Sequence, residues 1–388
     1  MDFRFSQEDE EFRKEIGQFV DSELPWDWRT RTIDSEEPED SPLVNQFRKK
    51  LADKGWLTMA WPEEYGGQAA PHIRQMIFSE EMAYRDVPAG DSGIRMVGPI
   101  LMLYGTEEQK QYFLPRIAKA DISWCQGYSE PDAGSDLASL QTRAVEDGDD
   151  FVLNGSKIWN GAHSGADWMF LLVRTDPEVK PQQGISFLLV DMKTPGITVR
   201  PIITLDGWHY VNEVFFEDVR VPKHNRIGEE GKGWTYAKFL LGHERTGIAG
   251  VQRSRKLIGK LKENTRDLEA EQRARIGQLE LDLMALEYTE LRVLTAEQAG
   301  QSPGPEASLL KIKGSELTQA VFQLSIETLG YHTLPYPIPA SEWGSNNPLV
   351  PEHVGNVVAA HLYARAATIF GGSNEIQRGI IAKAVLGL

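Results

Sequence analysis

The sequence contains very little cysteine. Cys125 is the single cysteine in a chain of 388 residues, so no disulfide can form within the chain, and we expect a reducing compartment such as the cytoplasm. No apolar run is long enough to cross a bilayer, and the first residues do not resemble a signal peptide. We therefore expect a soluble cytoplasmic protein that does not act in a membrane.

Positive charge is also scarce. The formal net charge is −16, whereas proteins that bind nucleic acid or anionic membranes need a basic surface. Part of the negative charge lies in the acidic run at 34–40, which is typical of a solvated loop. The charge balance therefore argues against nucleic acid or an anionic membrane as the main partner.

Several common site signatures are missing. The eight histidines are scattered and Cys125 stands alone, so we expect no metal site of the zinc type. No G-x-G-x-x-G run predicts a Rossmann domain, and no G-x-S-x-G run predicts a hydrolase nucleophile. The glycine-rich run at 228–233 lacks the spacing of a phosphate-binding loop, and we interpret it as a hinge between two regions.

The periodicity of apolar residues predicts three regions. Residues 1–120 have helical spacing, with helix starts at Ser6 and at Thr106, where Gln109 completes a capping box. Residues 121–232 are short segments separated by turns, including a hairpin at Asp147-Gly148. In residues 233–388 the spacing predicts helices at 235–262, 272–299, 306–329, 352–367 and 374–386. The predicted fold is an α+β multidomain protein: a helical domain, an antiparallel sheet or small β-barrel, and a helical bundle.

A glycine pair precedes the last predicted helix. The run Phe370-Gly371-Gly372-Ser373-Asn374 allows a close backbone approach, and Asn374 with Gln377 fits a capping box. Free N–H groups and the positive end of a helix dipole suit a phosphate or a carbonyl oxygen. Without further support, this pattern is more often only a turn.

Glu244 interrupts a predicted apolar helix face. It occupies the vacant place in the series Trp234, Ala237, Leu241, Ile248, Val251 and Ile258. Burial would raise the pKa of its carboxyl group and make the carboxylate a better proton acceptor. The alternative is a structural ion pair with Arg245 or Arg253, which these residues alone favour.

Two further segments are candidate ligand sites. Residues 126–139 form a loop of small and hydroxyl residues that could lie against a flat ligand or a phosphate, although an ordinary turn explains the same composition. Trp159, at the end of a predicted strand and followed by Asn160-Gly161, could stack on an aromatic cofactor. A core position is more common for tryptophan.

Considered together, four segments resemble the acyl-CoA dehydrogenase family, and the resemblance spans essentially the whole chain. These are Gly127–Ser139, with Tyr128 where an aliphatic residue is usual, and the segments 61–67, 105–109 and 370–377. The likeness is greatest to the large subunits of pimeloyl-CoA dehydrogenases, a branch of that family. The resemblance implies the three-domain fold above, bound FAD and α,β-desaturation of an acyl-CoA thioester.

The resemblance also implies residues that bind the flavin ring. Gln126, Tyr128 and Ser129 would lie along the flavin and bond its polar edge through backbone groups. Trp159 would pack on the ring. Gly161 replaces a hydroxyl residue that usually approaches flavin N5.

Other residues would contact the outer parts of cofactor and substrate. Ser135 would face the flavin pyrophosphate or the CoA chain, and Ser373 and Glu375 would contact the diphosphate and ribose region of FAD. Arg245 would lie near the CoA arm of the thioester.

Catalysis depends on which residue removes the α-proton. Many members place a glutamate in the C-terminal loop, where this chain has Gly371; a minority branch places it on the long helix, where this chain has Glu244. The resemblance therefore favours Glu244 as the base, with the β-hydride passing to flavin N5. The backbone N–H of Gly371 would polarise the thioester carbonyl. The family's usual electron acceptor is an electron-transfer flavoprotein.

Two departures concern assembly. Residues 262–278 lack the Arg-x-x-Phe-Gly motif that reaches the FAD of a neighbouring subunit, and residues 327–335 lack a Gly-Gly-x-Gly run. We therefore expect a heteromer in which a related small subunit supplies these groups. Open alternatives are an acyl-CoA oxidase, a non-catalytic subunit and a DNA-associated member of the fold. The acyl group stays open among pimeloyl-like, branched-chain and steroid side-chain thioesters.

Overall fold

The structure is a computed structural model in which helices precede and follow one seven-stranded sheet. It describes residues 5–25, 28, 41–87, 90, 92–161, 166–244, 249–263, 269–298, 304–335 and 352–387. No helix in these ranges is long and apolar enough to cross a membrane.

The first region is helical, as predicted. Its helices are α1 (Gln7–Glu23), α2 (Pro42–Asp53), α3 (His72–Tyr84), α4 (Gly98–Tyr104) and α5 (Glu107–Ala118), with a π-helical turn, Gly93–Val97, before α4. The side chain of Ser6 caps α1 by accepting a hydrogen bond from the Asp9 N–H at 3.1 Å. The capping box of Thr106 and Gln109 at the start of α5 is confirmed.

The segment at 61–67 supports the π-helical turn. The Trp61 indole donates to the Ile94 carbonyl at 3.1 Å. Its ring lies so close to Gly98 that a Cβ there would be 2.2 Å from the indole. Glycine at 98 is therefore required for this packing, and it lets α4 approach the tryptophan directly.

The middle region is a curved, mostly antiparallel sheet. Its strands are β1 (Trp124–Gly127), β2 (Arg143–Asp147), β3 (Asp150–Asn160), β4 (Trp168–Arg174), β5 (Ile185–Asp191), β6 (Ile197–Ile203) and β7 (His209–Pro222). The spatial order is β1-β4-β2-β3-β7-β6, and β5 pairs with β4. The predicted hairpin at Asp147-Gly148 joins β2 and β3, with Asp147 opposite Asp150. The parallel pairing of β1 with β4 was not predicted.

The last region is helical again. It contains α6 (Gly233–Glu244), α7 (Val251–Glu263), α8 (Ala270–Gln298), α9 (Glu306–Leu329), α10 (Glu352–Tyr363) and α11 (Asn374–Ile381), with a π-helical turn, Ala382–Leu386, after α11. The prediction of one helix over 235–262 is wrong. Gly250 has φ +62°, which ends any right-handed helix, and α7 starts at the next residue. The apolar series through Glu244 therefore does not follow a single helix.

One hydrophobic core connects the three regions. The buried face of α6, with Tyr236, Ala237 and Leu240, packs in the same cluster as Phe113 of α5 and Phe187 of β5. The opposite face of the sheet has its own core, as do the N-terminal helices and the C-terminal bundle. Glu244 is the last residue of α6, one turn beyond Leu240, so this packing fixes the position of its backbone.

A close backbone contact holds Ala249, two residues before α7, against α9. Gly314, in the middle of α9, lies against Ala249, and a Cβ on Gly314 would be 2.3 Å from the Ala249 carbonyl oxygen. Ala249 itself is fully buried. The backbone at Ala249 therefore has little room to move relative to α9.

We expect Gly314→Ala to lower the free energy of unfolding by about 1–3 kcal/mol, because the new methyl group meets backbone rather than a flexible side chain. Gly277→Ala in α8 is the matched control, since a Cβ there meets nothing within 4 Å. The control should be stabilising by about 0.5–1 kcal/mol through helix propensity. Urea unfolding of both variants tests this, and equal stability of the two would contradict it.

A group of carboxylates lies where α3 meets the C-terminal bundle. Glu80 accepts from Arg13 at 2.8 Å and from Gln252 at 2.8 Å. Burial raises the pKa of Glu80, and it raises that of Glu290 on α8 to about 8, where the charges of Glu80 and Glu287 add to the effect. Glu290 is therefore mainly protonated in the folded protein at neutral pH.

This arrangement predicts a pH-dependent stability. The pKa of Glu290 is higher in the folded than in the unfolded chain, so the folded state binds more protons and loses stability as the pH rises towards about 8. Glu290→Gln cannot ionise and should remove part of that loss, so its stabilising effect grows between pH 5 and pH 8.5. Glu280→Gln, at an exposed position of the same helix, is the control. Urea unfolding across this range would contradict the prediction if both variants gave parallel curves.

Candidate active site

The loop that leaves β1 presents its backbone rather than its side chains. Gln126 is half-buried in β1, and Tyr128 is 5% exposed with its ring packed edge-on against Phe170 and Phe187. The Tyr128 side chain thus belongs to the core that also holds α6. What this residue offers to a ligand is its peptide group, as is true of the half-buried Ser129 beside it.

A buried ion pair fixes this loop to β3. The Lys157 ammonium group is fully buried and donates to Glu130 Oε1 at 2.8 Å and to the Tyr128 carbonyl at 3.1 Å. Glu130 also accepts from the N–H groups of Gln141 and Thr142, at 2.6 and 2.8 Å. The cation therefore joins the start of the loop to its end.

Both partners are charged at neutral pH. Burial lowers the pKa of Lys157 to about 8, although the Glu130 charge opposes that effect. Burial alone would raise the pKa of Glu130, but the Lys157 charge and the hydrogen bonds that the carboxylate accepts hold it below its usual value. The pair is thus a full ion pair below pH 8.

The end of β3 directs a tryptophan outwards. Trp159 has φ +62°, which is unusual for a residue with a side chain, and it lies at a bulge where the register between β3 and β7 shifts. Its side chain is 60% exposed. The Ile158 N–H donates to the Ser129 carbonyl at 2.9 Å, so the backbone just before Trp159 lies next to that of Ser129. The exposed Gly161 follows directly.

The C-terminal loop has two consecutive left-handed glycines. Gly371 and Gly372 have φ +66° and +79°. The prediction that Asn374 caps the last helix is wrong by one residue. Ser373 is the cap, and its Oγ accepts from the Ile376 N–H at 3.3 Å. The reason is that the Asn374 side chain turns into the protein and makes other bonds.

Those bonds form a second buried polar cluster. Lys311 on α9 is fully buried and donates to Asn374 Oδ1 at 2.9 Å, and Ser315 also bonds that side chain. Gln377, also fully buried, donates to the Gly371 carbonyl at 3.0 Å. Burial lowers the pKa of Lys311, and the Glu375 charge opposes this. The C-terminal loop is therefore bonded both to α9 and to α11, the helix that follows it.

Three other predicted site residues lie at the surface or at an element's end. Ser135 and Glu375 are exposed. The backbone hydrogen bond of Glu375 and its contact with Ser373 hold the pKa of the Glu375 carboxyl below its usual range. Glu244 is the last residue of α6. Arg245 lies outside the described residues, as the following residues to 248 also do.

Glu130, Lys157 and Lys311 were not among the predicted site residues. One signal was available: Lys157 lies two residues before Trp159, in a strand whose buried positions are otherwise mostly apolar. Lys311 likewise lies on the buried side of α9. A lysine in either place needs a polar partner, because an unpaired buried charge is costly.

Two backbone N–H groups with no acceptor in the described residues fit the flavin cofactor that the family resemblance implies. Among the described residues, no oxygen accepts a hydrogen bond from the N–H of Ser129 or from that of Gly371. Ser129 is half-buried, and an unpaired donor in such a place is best satisfied by a bound acceptor. No group of three or more metal-binding side chains occurs in the part of the chain that the structure describes.

Three domains of one protein family match successive parts of the chain. The acyl-CoA dehydrogenase N-terminal domain matches residues 6–121, the middle domain residues 125–219 and the C-terminal domain residues 231–386. Among curated proteins, the acyl-CoA dehydrogenase FadE26 of Mycobacterium tuberculosis is 35% identical over 100% of this chain and 99% of its own length. The acyl-CoA dehydrogenase IpdE1 of the same organism is 34% identical, over 88% and 87%.

Solved structures agree with this assignment. The "Tcur3481-Tcur3483 steroid ACAD" has a TM-score of 0.89 at 32% identity, and it covers 100% of this chain and 99% of its own. The ChsE4-ChsE5 complex from Mycobacterium tuberculosis has a TM-score of 0.86 at 33% identity with the same coverage. The chain therefore belongs to the acyl-CoA dehydrogenase family, whose members are FAD-binding oxidoreductases that act on acyl-CoA thioesters.

Proposed function

We propose that this chain binds FAD and desaturates an acyl-CoA thioester between the α and β carbons, with Glu244 as the base. The observation that carries the proposal is the junction of the signature loop with β3. There the Lys157–Glu130 pair bonds the loop to β3, the Ser129 N–H has no acceptor in the described residues, and Trp159 is exposed with a positive φ. Such strain is retained where a side chain has to be presented to a ligand.

Each residue has a distinct role in this proposal. The backbone groups of Gln126, Tyr128 and Ser129 bond the polar edge of the flavin, and Trp159 packs on the ring. When bound, FAD accepts the hydride from the β carbon. Gly161 leaves room beside the ring, because it carries no side chain.

Further residues contact the diphosphate and ribose part of FAD and the CoA part of the substrate. Ser135, exposed in the signature loop, faces the pyrophosphate or the CoA chain. Ser373 and Glu375 approach the diphosphate and ribose region from the start of α11. Arg245 lies one residue after Glu244 and contacts the CoA arm.

The proton step is assigned to Glu244 because the C-terminal loop has no carboxylate to offer. Gly371 occupies the place where many members carry the base, and its N–H has no acceptor among the described residues. That N–H donates to the thioester carbonyl and stabilises the negative charge that develops on its oxygen. Glu244, at the end of α6, accepts the α-proton.

We infer that the acyl group is of the steroid type and that the active form is a heteromer. The similarity to the "Tcur3481-Tcur3483 steroid ACAD" supports the steroid substrate. The similarity to that protein and to the ChsE4-ChsE5 complex supports the heteromer. The missing motifs at 262–278 and 327–335 add support, since a related small subunit would supply those groups. An electron-transfer flavoprotein is the proposed electron acceptor, and slow reaction of the reduced flavin with O₂ would separate this from an oxidase.

Glu244→Gln should slow flavin reduction by about 10²–10⁴-fold when the FAD-loaded protein is mixed anaerobically with a steroid side-chain CoA thioester, because an amide cannot accept the proton. Binding of the thioester should persist. Glu263→Gln, an exposed position at the end of α7, is the control and should keep the wild-type rate. Stopped-flow absorbance at the flavin band is the measurement, and bleaching of Glu244→Gln at the wild-type rate would remove Glu244 as the base.

The proposed heteromer predicts how much FAD the purified protein contains. Expressed alone, the chain should purify with a small fraction of its FAD sites filled, and co-expression with a related small subunit should raise this towards one FAD for each complete site. The ratio of flavin absorbance to protein, measured with mass determination by light scattering, tests this. A homomer of this chain with full FAD occupancy would contradict the heteromer.

A further inference from the structure

One peptide group connects the buried ammonium of Lys157 to the ligand side of the signature loop. We propose that Lys157 is a positioning residue that polarises the Tyr128–Ser129 peptide, so that the Ser129 N–H becomes a stronger donor to the flavin edge when that edge gains negative charge. This inference rests on the proposed function, because it needs the flavin to lie against Ser129. It concerns a residue to which neither the motif nor the family resemblance assigned a role.

The direction of the peptide group follows from its geometry. No cis peptide bond occurs in the described residues, so the C=O of Tyr128 and the N–H of Ser129 belong to one planar unit and point in opposite directions. Lys157 Nζ lies 3.1 Å from the Tyr128 oxygen. The cation is therefore on one side of the peptide and the unpaired N–H is on the other.

A hydrogen bond from a cation to the carbonyl strengthens the opposite N–H. Bonds to charged donors are about twice as strong as neutral ones, and neighbouring hydrogen bonds polarise one another in a low-dielectric interior. Lys157 is fully buried, so little solvent screens it. The charge of Lys157 therefore polarises the Tyr128–Ser129 peptide group.

The charges around the lysine leave a net positive centre behind the loop. Glu130 neutralises one charge, but Arg174 of β4 also lies near enough to lower the pKa of Lys157. The Arg174 guanidinium donates to the Ala138 and Leu140 carbonyls at 2.7 and 3.0 Å. Two cations and one carboxylate thus stand behind the loop, and they favour a ligand that becomes more negative.

A site with these charges binds the reduced flavin more tightly than the oxidised flavin. Reduction places negative charge on the polar edge of the ring, whereas the oxidised ring is neutral there. A polarised Ser129 N–H therefore stabilises the reduced flavin more than the oxidised flavin. Lys157 therefore raises the midpoint potential of the bound FAD, and a purely structural ion pair would leave that potential unchanged.

Lys157→Met tests the proposal, because methionine keeps much of the length of the side chain and removes both the charge and the donor. We expect the FAD-loaded variant to lose about tenfold in its preference for reduced over oxidised flavin, which lowers the midpoint potential by about 30 mV for a two-electron couple. Spectroelectrochemical titration without substrate measures it. Lys193→Met, which removes a lysine that is 81% exposed, should keep the wild-type potential.

The double variant Lys157→Met, Glu130→Gln covers the case in which the single variant fails to fold, since it removes the unpaired buried carboxylate. It should recover the melting temperature but keep the lowered potential. A folded, FAD-loaded single or double variant with the wild-type potential would overturn the proposal.

The pH dependence of the midpoint potential gives a second readout. Because the pKa of Lys157 is about 8, the potential of the wild-type protein should fall more steeply above that pH than the potential of Lys157→Met. Equal slopes would also overturn the proposal. If the wild-type protein takes up no FAD even when it is co-expressed with a related small subunit, the proposed function itself fails, and that outcome is distinct from an unchanged potential.

Discussion

The buried ion pair between Lys157 and Glu130 is the interaction on which the candidate site depends. A lysine that is fully removed from water is tolerated only if its charge and its donors are satisfied. Here the partners are one carboxylate and the Tyr128 carbonyl, and the carboxylate accepts two further N–H groups of the same loop. A loop conformation that breaks one of these bonds leaves a buried charge with fewer partners, which disfavours other arrangements of the loop.

The same principle fixes the second half of the site. Lys311, buried inside the C-terminal bundle, donates a hydrogen bond to Asn374 at the first turn of the last helix. Gln377 donates one to the Gly371 carbonyl. Both candidate ligand-binding loops are thus bonded to a buried lysine on a regular element, one on a strand and one on a helix. Functional loops placed on rigid elements in this way can present backbone N–H groups in fixed directions.

The sequence was sufficient where the signal is local or contiguous. The capping box at Thr106, the hairpin at Asp147-Gly148 and the family segments each lie within a few residues, and the order of three regions followed from periodicity. Features that depend on distant residues could not be predicted in this way. The parallel pairing of β1 with β4 joins segments that are far apart in the sequence, and the helix break at Gly250 interrupts an apolar spacing that continues through it. Ser373 caps the last helix because the Asn374 side chain accepts a hydrogen bond from Lys311.

Gly371 explains why the base and the carbonyl donor are assigned to different elements. With φ +66° it adopts a conformation that costs a residue with a side chain roughly 1–2 kcal/mol. The neighbouring Gly372 is left-handed as well, and a Cβ there would be 2.7 Å from the Gln377 amide nitrogen. A side chain at either glycine would therefore be strained in this loop conformation. In our proposal the carboxylate comes instead from Glu244, at the end of a helix that shares a core with the signature loop.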